Sequence, residues 1–248
     1  MRTLVCVKQV KTLGDEVEFT ADGTDVDPDY LDSALNEWDS YATEEAIRLR
    51  EAGGGEVVVV TCGPKESEAA LRRCLAMGAD RAVRIEGVDG HDPIRVARAL
   101  AEVVRDESPD LVLCGVQSSD AVQAATGTAL AEIVGMPRVA VVTKLEAGSG
   151  SARVHRELEG GLVDVVDVDL PAVLTIQTGI NEPRYANLRA IKQAEQVEIS
   201  IRQASAAPSV SRVRRMFTPE KGEGAEMLGT DPAEVARRIA EIVKEKVA

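Results

Sequence analysis

Two hydrophobic spacings alternate along the first 145 or so residues. Glu56–Cys62 reads Glu-Val-Val-Val-Val-Thr-Cys and stops at Gly63-Pro64. An unbroken apolar run suits a strand buried on both faces, hence a parallel sheet with helices on either side. Further strands are expected at residues 3–10, 81–85, 111–116 and 138–144. Between them apolar residues recur at helical spacing. Residues 36–52 form one such helix, with Asn36 as N-cap and Glu37 and Asp39 in its first turn. Residues 66–77 form a second, with Leu71, Cys74 and Leu75 on one face and Gly78 as its stop. Asp92-Pro93 opens a third, whose inward stripe is Ile94, Ala97, Ala101 and Val104. Residues 121–134 read as a fourth, rich in small side chains. This rhythm predicts a doubly wound, mostly parallel α/β sheet.

The pattern changes after Glu146. Residues 153–159 and 162–170 are extended runs around Gly160-Gly161, a hairpin signal. Another strand is expected at 171–177. Residues 204–230 have little periodicity and carry Arg212, Arg214 and Arg215, which suits an extended arm. The chain then closes on a helix, Pro232–Val247, capped by Asp231 with Glu234 three residues later. Two domains are therefore expected. Residues 1–203 form an α/β nucleotide-binding domain that includes the hairpin. Residues 204–248 form an arm and terminal helix that dock on a partner.

Composition narrows the functions. Aliphatic residues must build the core, since only 2% of the 248 residues are aromatic. A net charge of −13 argues against nucleic acid as a partner. No apolar run approaches the ~20 residues needed to span a bilayer, so no membrane insertion is expected. The N-terminal apolar run is too short for a signal peptide, which leaves the cytoplasm as the expected compartment. The cysteines, Cys6, Cys62, Cys74 and Cys114, lack ligand spacing, so neither a metal site nor a disulfide is expected.

Ligands of open α/β sheets bind beyond the carboxyl ends of the strands. Three such ends carry small or polar groups: Cys6-Val7-Lys8, Thr61-Cys62-Gly63-Pro64 and Gly115-Val116-Gln117-Ser118-Ser119-Asp120. The last leads toward Gln123, Thr126 and Gly127, where a helix N-terminus with little side-chain bulk favours a phosphate. Ordinary turns and small-residue helix packing would look the same. The chain has neither a Gly-x-Gly-x-x-Gly nor a Gly-x-x-x-x-Gly-Lys-Ser/Thr, so the nicotinamide fingerprint and the P-loop are absent. His91 precedes a helix cap and His155 lies among arginines in a strand; neither has an evident catalytic partner. There is no Gly-x-Ser-x-Gly elbow, and no self-contained active site is expected.

Several segments together resemble the beta subunit of an electron-transfer flavoprotein, most nearly those of methylotrophic bacteria. They are Leu-Val-Cys-Val-Lys-Gln-Val near the N-terminus, Leu35-Asn36-Glu37-Trp38, Leu75-Ala76-Met77-Gly78-Ala79-Asp80, Arg156-Glu157-Leu158-Glu159-Gly160-Gly161, Leu170-Pro171-Ala172-Val173, and Asn181-Glu182-Pro183-Arg184-Tyr185-Ala186-Asn187-Leu188. They recur in order over nearly the whole chain. The resemblance implies a heterodimer whose alpha subunit holds most of the FAD, while this subunit buries a structural AMP. By position, AMP contacts fall on Cys6, Asn36, Glu37, Trp38, Asp39, Cys62, Gly115, Val116, Gln117, Ser118, Ser119, Asp120, Ala121, Val122, Gln123, Ala124, Ala125 and Thr126. Leu13 and Trp38 fall near the FAD. Glu157 matches a glutamate that restrains the flavin-bearing domain. Leu188, with Tyr185 and Ile191 beside it, matches the anchor for dehydrogenase partners. The resemblance further implies flavin dehydrogenases as donors, a quinone oxidoreductase leading to the respiratory chain as acceptor, and an electron carrier without substrate chemistry of its own.

Two alternatives remain open at this point. One is an electron-bifurcating relative with a second FAD in the AMP pocket. The stretch from Ser119 to Thr126 departs from the Asp-Gly-Asp-Thr-Ala-Gln-Val-like string of those relatives, which favours AMP. The other is a stand-alone nucleotide-binding stress or signalling module, for which the arm and last helix have no evident use.

Overall fold

The computed structural model describes residues 1–14, 17–88, 90–205, 208–220, 222, 224–225 and 227–247. The chain divides into two compact units, Met1–Arg215 and Met216–Ala248.

In chain order the first unit runs β1 (Arg2–Cys6), β2 (Gln9–Leu13), β3 (Leu31–Leu35), α1 (Glu37–Gly53), β4 (Glu56–Cys62), α2 (Glu68–Met77), β5 (Arg81–Glu86) and α3 (Pro93–Glu107). It continues with β6 (Leu111–Gly115), α4 (Thr126–Val134), β7 (Arg138–Ala147), β8 (Ser151–Glu157), β9 (Val163–Asp169), β10 (Ala172–Ile176), α5 (Leu188–Gln196) and β11 (Ile199–Gln203). Among the described residues a nine-stranded sheet has the order β11-β5-β4-β1-β6-β10-β7-β8-β9. Pairing is parallel from β11 through β7 and antiparallel for β8 and β9. This is the expected doubly wound α/β sheet with a hairpin appended.

The apolar run in β4 shows why the layers stack as they do. Val57, Val58, Val59 and Val60 are all fully buried. Val57 and Val59 pack with Ala42, Ala46 and Ile47 of α1 and with Leu71 and Leu75 of α2. Val58 and Val60 pack on the other face with Leu100 and Val104 of α3 and Leu130 of α4. Each such side chain contributes about 1.5–3 kcal/mol by leaving water.

Several boundaries differ from expectation, among them that of β7, which runs on to Ala147, and β3 forms where no element was expected. The strand expected over residues 3–10 is two strands. Beyond Cys6 the Lys8 N–H is bonded to Asp39, and the Lys8 carbonyl accepts the Asn36 N–H. These groups serve the start of α1 instead of a sheet neighbour, and the chain turns away to pair β2 with β3 in a separate two-stranded sheet. The helix expected from residue 121 begins at Thr126, because Val122 (φ 51°) and Ala124 (φ 49°) adopt left-handed backbone conformations that an α-helix excludes. Residues 188–203, given no element above, form α5 and the edge strand β11.

The beginning of the arm lies in the first unit. The Asp92 carboxylate caps α3 by accepting from the Ile94 and Arg95 N–H groups, and its second oxygen accepts from Ser209 and Val210. The second unit holds α6 (Pro232–Val247), where Asp231 accepts from the Ala233 N–H at 3.2 Å. Of the expected arm, residues 206, 207, 221, 223 and 226 lie outside the described residues.

Candidate functional site

Strand order reverses about β1, with β4 on one side and β6 on the other, and a cleft opens at their carboxyl ends. This is the switch point where α/β sheets take ligands. The cleft encloses about 790 Å³ of empty space, open solvent included.

One side of the wall is apolar. Cys62 and Cys6 end β4 and β1, Cys114 is the penultimate residue of β6, and α3 adds Pro93, Val96 and Leu100. Cys6 and Cys114 are register partners. A hydrogen bond between their thiols, together with burial, pushes the Cys6 thiol well up. Burial pushes Cys62 up to about 12. Thiols held neutral in this way are packing groups, not nucleophiles. Among the described residues no cluster of His, Cys, Asp or Glu could hold a metal ion.

The start of α1 forms the second side. Asn36 stands at the N-cap position, but its side chain does not cap the helix. Its Nδ2 donates to the Gln117 carbonyl at 2.8 Å and its Oδ1 accepts from the Ser119 N–H at 3.3 Å. Asp39 Oδ2 accepts from the Lys8 N–H at 2.8 Å and Oδ1 from the Gly115 N–H at 2.9 Å. The two side chains stitch α1 to the ends of β1 and β6. Burial pushes the Asp39 carboxyl up to about 7, against the pull of these hydrogen bonds.

The third side is the segment from Gly115 to Thr126. Lys8 Nζ donates to Ser118 Oγ at 3.2 Å and pairs with Asp120 Oδ1 at 2.6 Å. Burial opposes the Asp120 charge, but the bonds from Lys8 and Ser118 win and hold its carboxyl below the usual range. No side chain among the described residues caps α4, so its first N–H groups are free to meet an anion. The lining fits an adenosine monophosphate: thiols and aliphatic groups for a flat ring, amides and hydroxyls around it, and an uncapped helix N-terminus for the phosphate.

Of the residues marked in the sequence, Cys6, Asn36, Asp39, Cys62, Gly115, Val116, Gln117, Ser118, Ala121, Gln123, Ala124, Ala125 and Thr126 share this wall. Glu37, Trp38, Ser119, Asp120 and Val122 do not line it. The Trp38 indole is directed to Gln177, donating from Nε1 to Oε1 at 2.9 Å. Val96, Leu100 and Gly90 were not foreseen. The stripe on α3 marked an inward face, but nothing in it showed that the first two turns overhang the strand ends.

The remaining marked residues lie elsewhere. Leu13 ends β2 and is exposed. Glu157 ends β8 and accepts from Gln177 Nε2 at 3.4 Å. Leu188 is the first residue of α5 and 79% exposed. It starts the helix that Asn187 caps through the Ala190 N–H. Tyr185 is also exposed, with the Arg73 guanidinium 5.3 Å from its ring centre, while Ile191 packs partly against the core. Among the described residues no helix is long and apolar enough to cross a membrane.

The fold and cleft define a doubly wound α/β protein with an open cleft at its switch point and, on the same unit, an exposed helix start carrying an uncovered leucine. The family model for the electron transfer flavoprotein domain matches residues 25–207. The chain is 46% identical to the electron transfer flavoprotein subunit beta of Methylophilus methylotrophus, over 99% of this chain and 98% of that protein. It is 34% identical to the corresponding subunit of Syntrophomonas wolfei over 100% of this chain and 97% of the relative, and 35% identical to that of Sus scrofa over 81% and 80%. The chain belongs to the electron transfer flavoprotein family, on the side of its beta subunits.

Proposed function

We propose that this subunit pairs with an alpha subunit in a heterodimeric electron carrier, holds AMP in the switch-point cleft, and docks the flavin dehydrogenases that donate electrons. The observation that carries the AMP reading is the composition of the cleft lining, which joins Cys6, Cys62, Cys114, Val96 and Leu100 to Asn36, Ser118, Lys8 and the uncapped start of α4. FAD, held mainly by the alpha subunit, supplies the redox chemistry. This chain's residues bind, pack and dock, and none of them is assigned a bond-making step. Glu157, exposed at the end of β8, restrains the flavin-bearing domain through a cation of the partner. Such an exposed pair contributes only ~0.2–1 kcal/mol, weak enough to release during domain motion. Leu188 is the anchor for the donor. Burying one leucine contributes about 1.5–3 kcal/mol, which suits a transient contact. A quinone oxidoreductase then takes the electrons on toward a respiratory chain.

Denaturing the purified heterodimer and quantifying the released nucleotides tests the cofactor assignment. One AMP and one FAD per heterodimer are expected. Two FAD and no AMP would place a flavin in the cleft and make the protein a bifurcating one.

A further inference from the structure

We infer that Gln177 is the positioning residue for Glu157, holding its carboxylate in place from the first turn of α1 through the indole of Trp38. This rests on the reading of Glu157 given above. Gln177 immediately follows β10, and its backbone N–H is bonded to the Val142 carbonyl at 2.9 Å. Its side-chain oxygen accepts twice, from Trp38 Nε1 at 2.9 Å and from the Thr178 N–H at 3.0 Å. A glutamine amide has one acceptor end and one donor end. Two N–H groups converging on one end settle which end is oxygen, because the flipped amide would set donors against donors. The NH2 end is thereby aimed at Glu157 Oε2, 3.4 Å away.

Trp38 is itself held firmly. It lies in the first turn of α1 between Asn36 and Asp39, whose side chains bind the cleft segments. Its Cβ packs so closely on Gly115 that a methyl group there would come within 2.6 Å. A connected chain therefore runs from Gly115 and Asp39 through Trp38 and Gln177 to the exposed Glu157 carboxylate. Exposed ion pairs are weak largely because both side chains must be ordered to form them. An acceptor ordered in advance strengthens the contact without a new charge.

Trp38 is the chain's single tryptophan, which provides a direct probe. The heterodimer is labelled with 5-fluorotryptophan, and the fluorine resonance of residue 38 is identified by its loss in Trp38→Phe. Glu157→Ala and Gln177→Leu should each shift that line by more than its width. In the Gln177→Leu background, Glu157→Ala should produce no further shift. A line that ignores Glu157→Ala, or shifts that simply add in the double variant, would overturn the inference. Gln177→Glu keeps the acceptor for Trp38 and Thr178 but removes the donor. In small-angle scattering it should redistribute the flavin-bearing domain as Glu157→Ala does, with nucleotide content unchanged. Should the fluorine line respond while scattering stays unchanged for both variants, the positioning stands and the restraint assigned to Glu157 falls.

Discussion

Arg184 and Glu44, 140 residues apart, are bonded twice through one carboxylate oxygen: the arginine Nε lies 2.8 Å and its backbone N–H 3.1 Å from Oε2. Glu44 sits in the middle of α1 and is almost fully buried. Burial alone would raise its carboxyl, but the bonds from Arg184 and Arg48 more than offset that and hold it below the usual range. Together with Asn181, whose amide donates to Glu45 and to the Tyr41 carbonyl, the pair straps residues 181–187 along α1. The strap delivers Asn187 and Leu188 to the surface.

Removing the Glu44 carboxylate should loosen that strap. Glu44→Ala leaves the Arg184 backbone N–H and Nε without their acceptor, at about 1–3 kcal/mol of stability, while its Nη1 and Nη2 keep Glu51. Limited proteolysis should then cut within residues 181–187, where the unaltered chain resists. The contribution has a definite pH sign. Because the folded pKa is depressed, it is in force above the unfolded value of about 4.3. It is lost as pH falls through the lower folded value. An unchanged cleavage pattern in Glu44→Ala would remove the strap from this account.

Asp39 predicts the opposite slope. Its folded pKa is raised to about 7 by burial, against about 3.9 for an unfolded aspartate. Between these values the folded state binds the extra proton, so this group's contribution to stability falls as pH rises from about 4 to about 7 and is flat above. The groups around it are Lys8, Asn36, the Gly115 N–H and the neutral thiols of Cys6 and Cys74. Asp39→Asn abolishes the titration. Its NH2 end also sets a donor against one of the two backbone N–H groups, so it destabilises at every pH. The melting-temperature difference between the two proteins, followed at saturating AMP, should shrink as pH rises through that window. A constant difference would mean that Asp39 is ionised throughout.

Gly115→Ala tests how tightly the cleft is stitched. The added methyl would lie 2.4 Å from Asp39 Oδ1 and 3.1 Å from the Trp38 carbonyl carbon. The first turn of α1 must therefore shift, and overpacking of this kind costs about 1–3 kcal/mol. Nucleotide content after gel filtration should drop. Gly53→Ala, at the far end of the same helix with nothing within 4 Å of the new methyl, should leave it unaltered. Equal nucleotide retention in the two variants would show that the wall near Gly115 tolerates displacement.

How much of this could be read from the sequence depended on whether local pattern or tertiary contact decides each feature. Glu56–Cys62 was legible to the residue, since four adjacent valines have no alternative to burial on both faces. That the three strand ends at Cys6, Cys62 and Gly115 meet in one cleft was legible because topology alone brings them together. The start of α4 was not: Ala121, Ala124 and Ala125 are good helix formers, and only the fold forces Val122 and Ala124 into left-handed conformations. Asn36 looked like a helix cap and occupies that position. Its amide is used instead to bridge to Gln117 and Ser119, partners more than 80 residues away that spacing along the chain does not reveal.

Leu188 carries the prediction that separates docking from folding. A leucine at the first position of an amphipathic helix is more often a core residue, and α5 does bury Ala194 and partly bury Ile191. Leu188 is instead 79% exposed, so its truncation leaves no cavity in the subunit. Leu188→Ala should therefore leave the melting temperature and the bound FAD spectrum unaltered. If the leucine enters a pocket of the donor dehydrogenase, losing that burial costs about 1.5–3 kcal/mol of association. That corresponds to roughly 10- to 150-fold weaker docking at RT of about 0.59 kcal/mol. The loss should appear as a raised half-saturation concentration for the carrier in reduction assays. Ile191→Ala, reaching into the core, should lower the melting temperature as well. A Leu188→Ala carrier reduced with unaltered half-saturation would move the docking surface away from the start of α5.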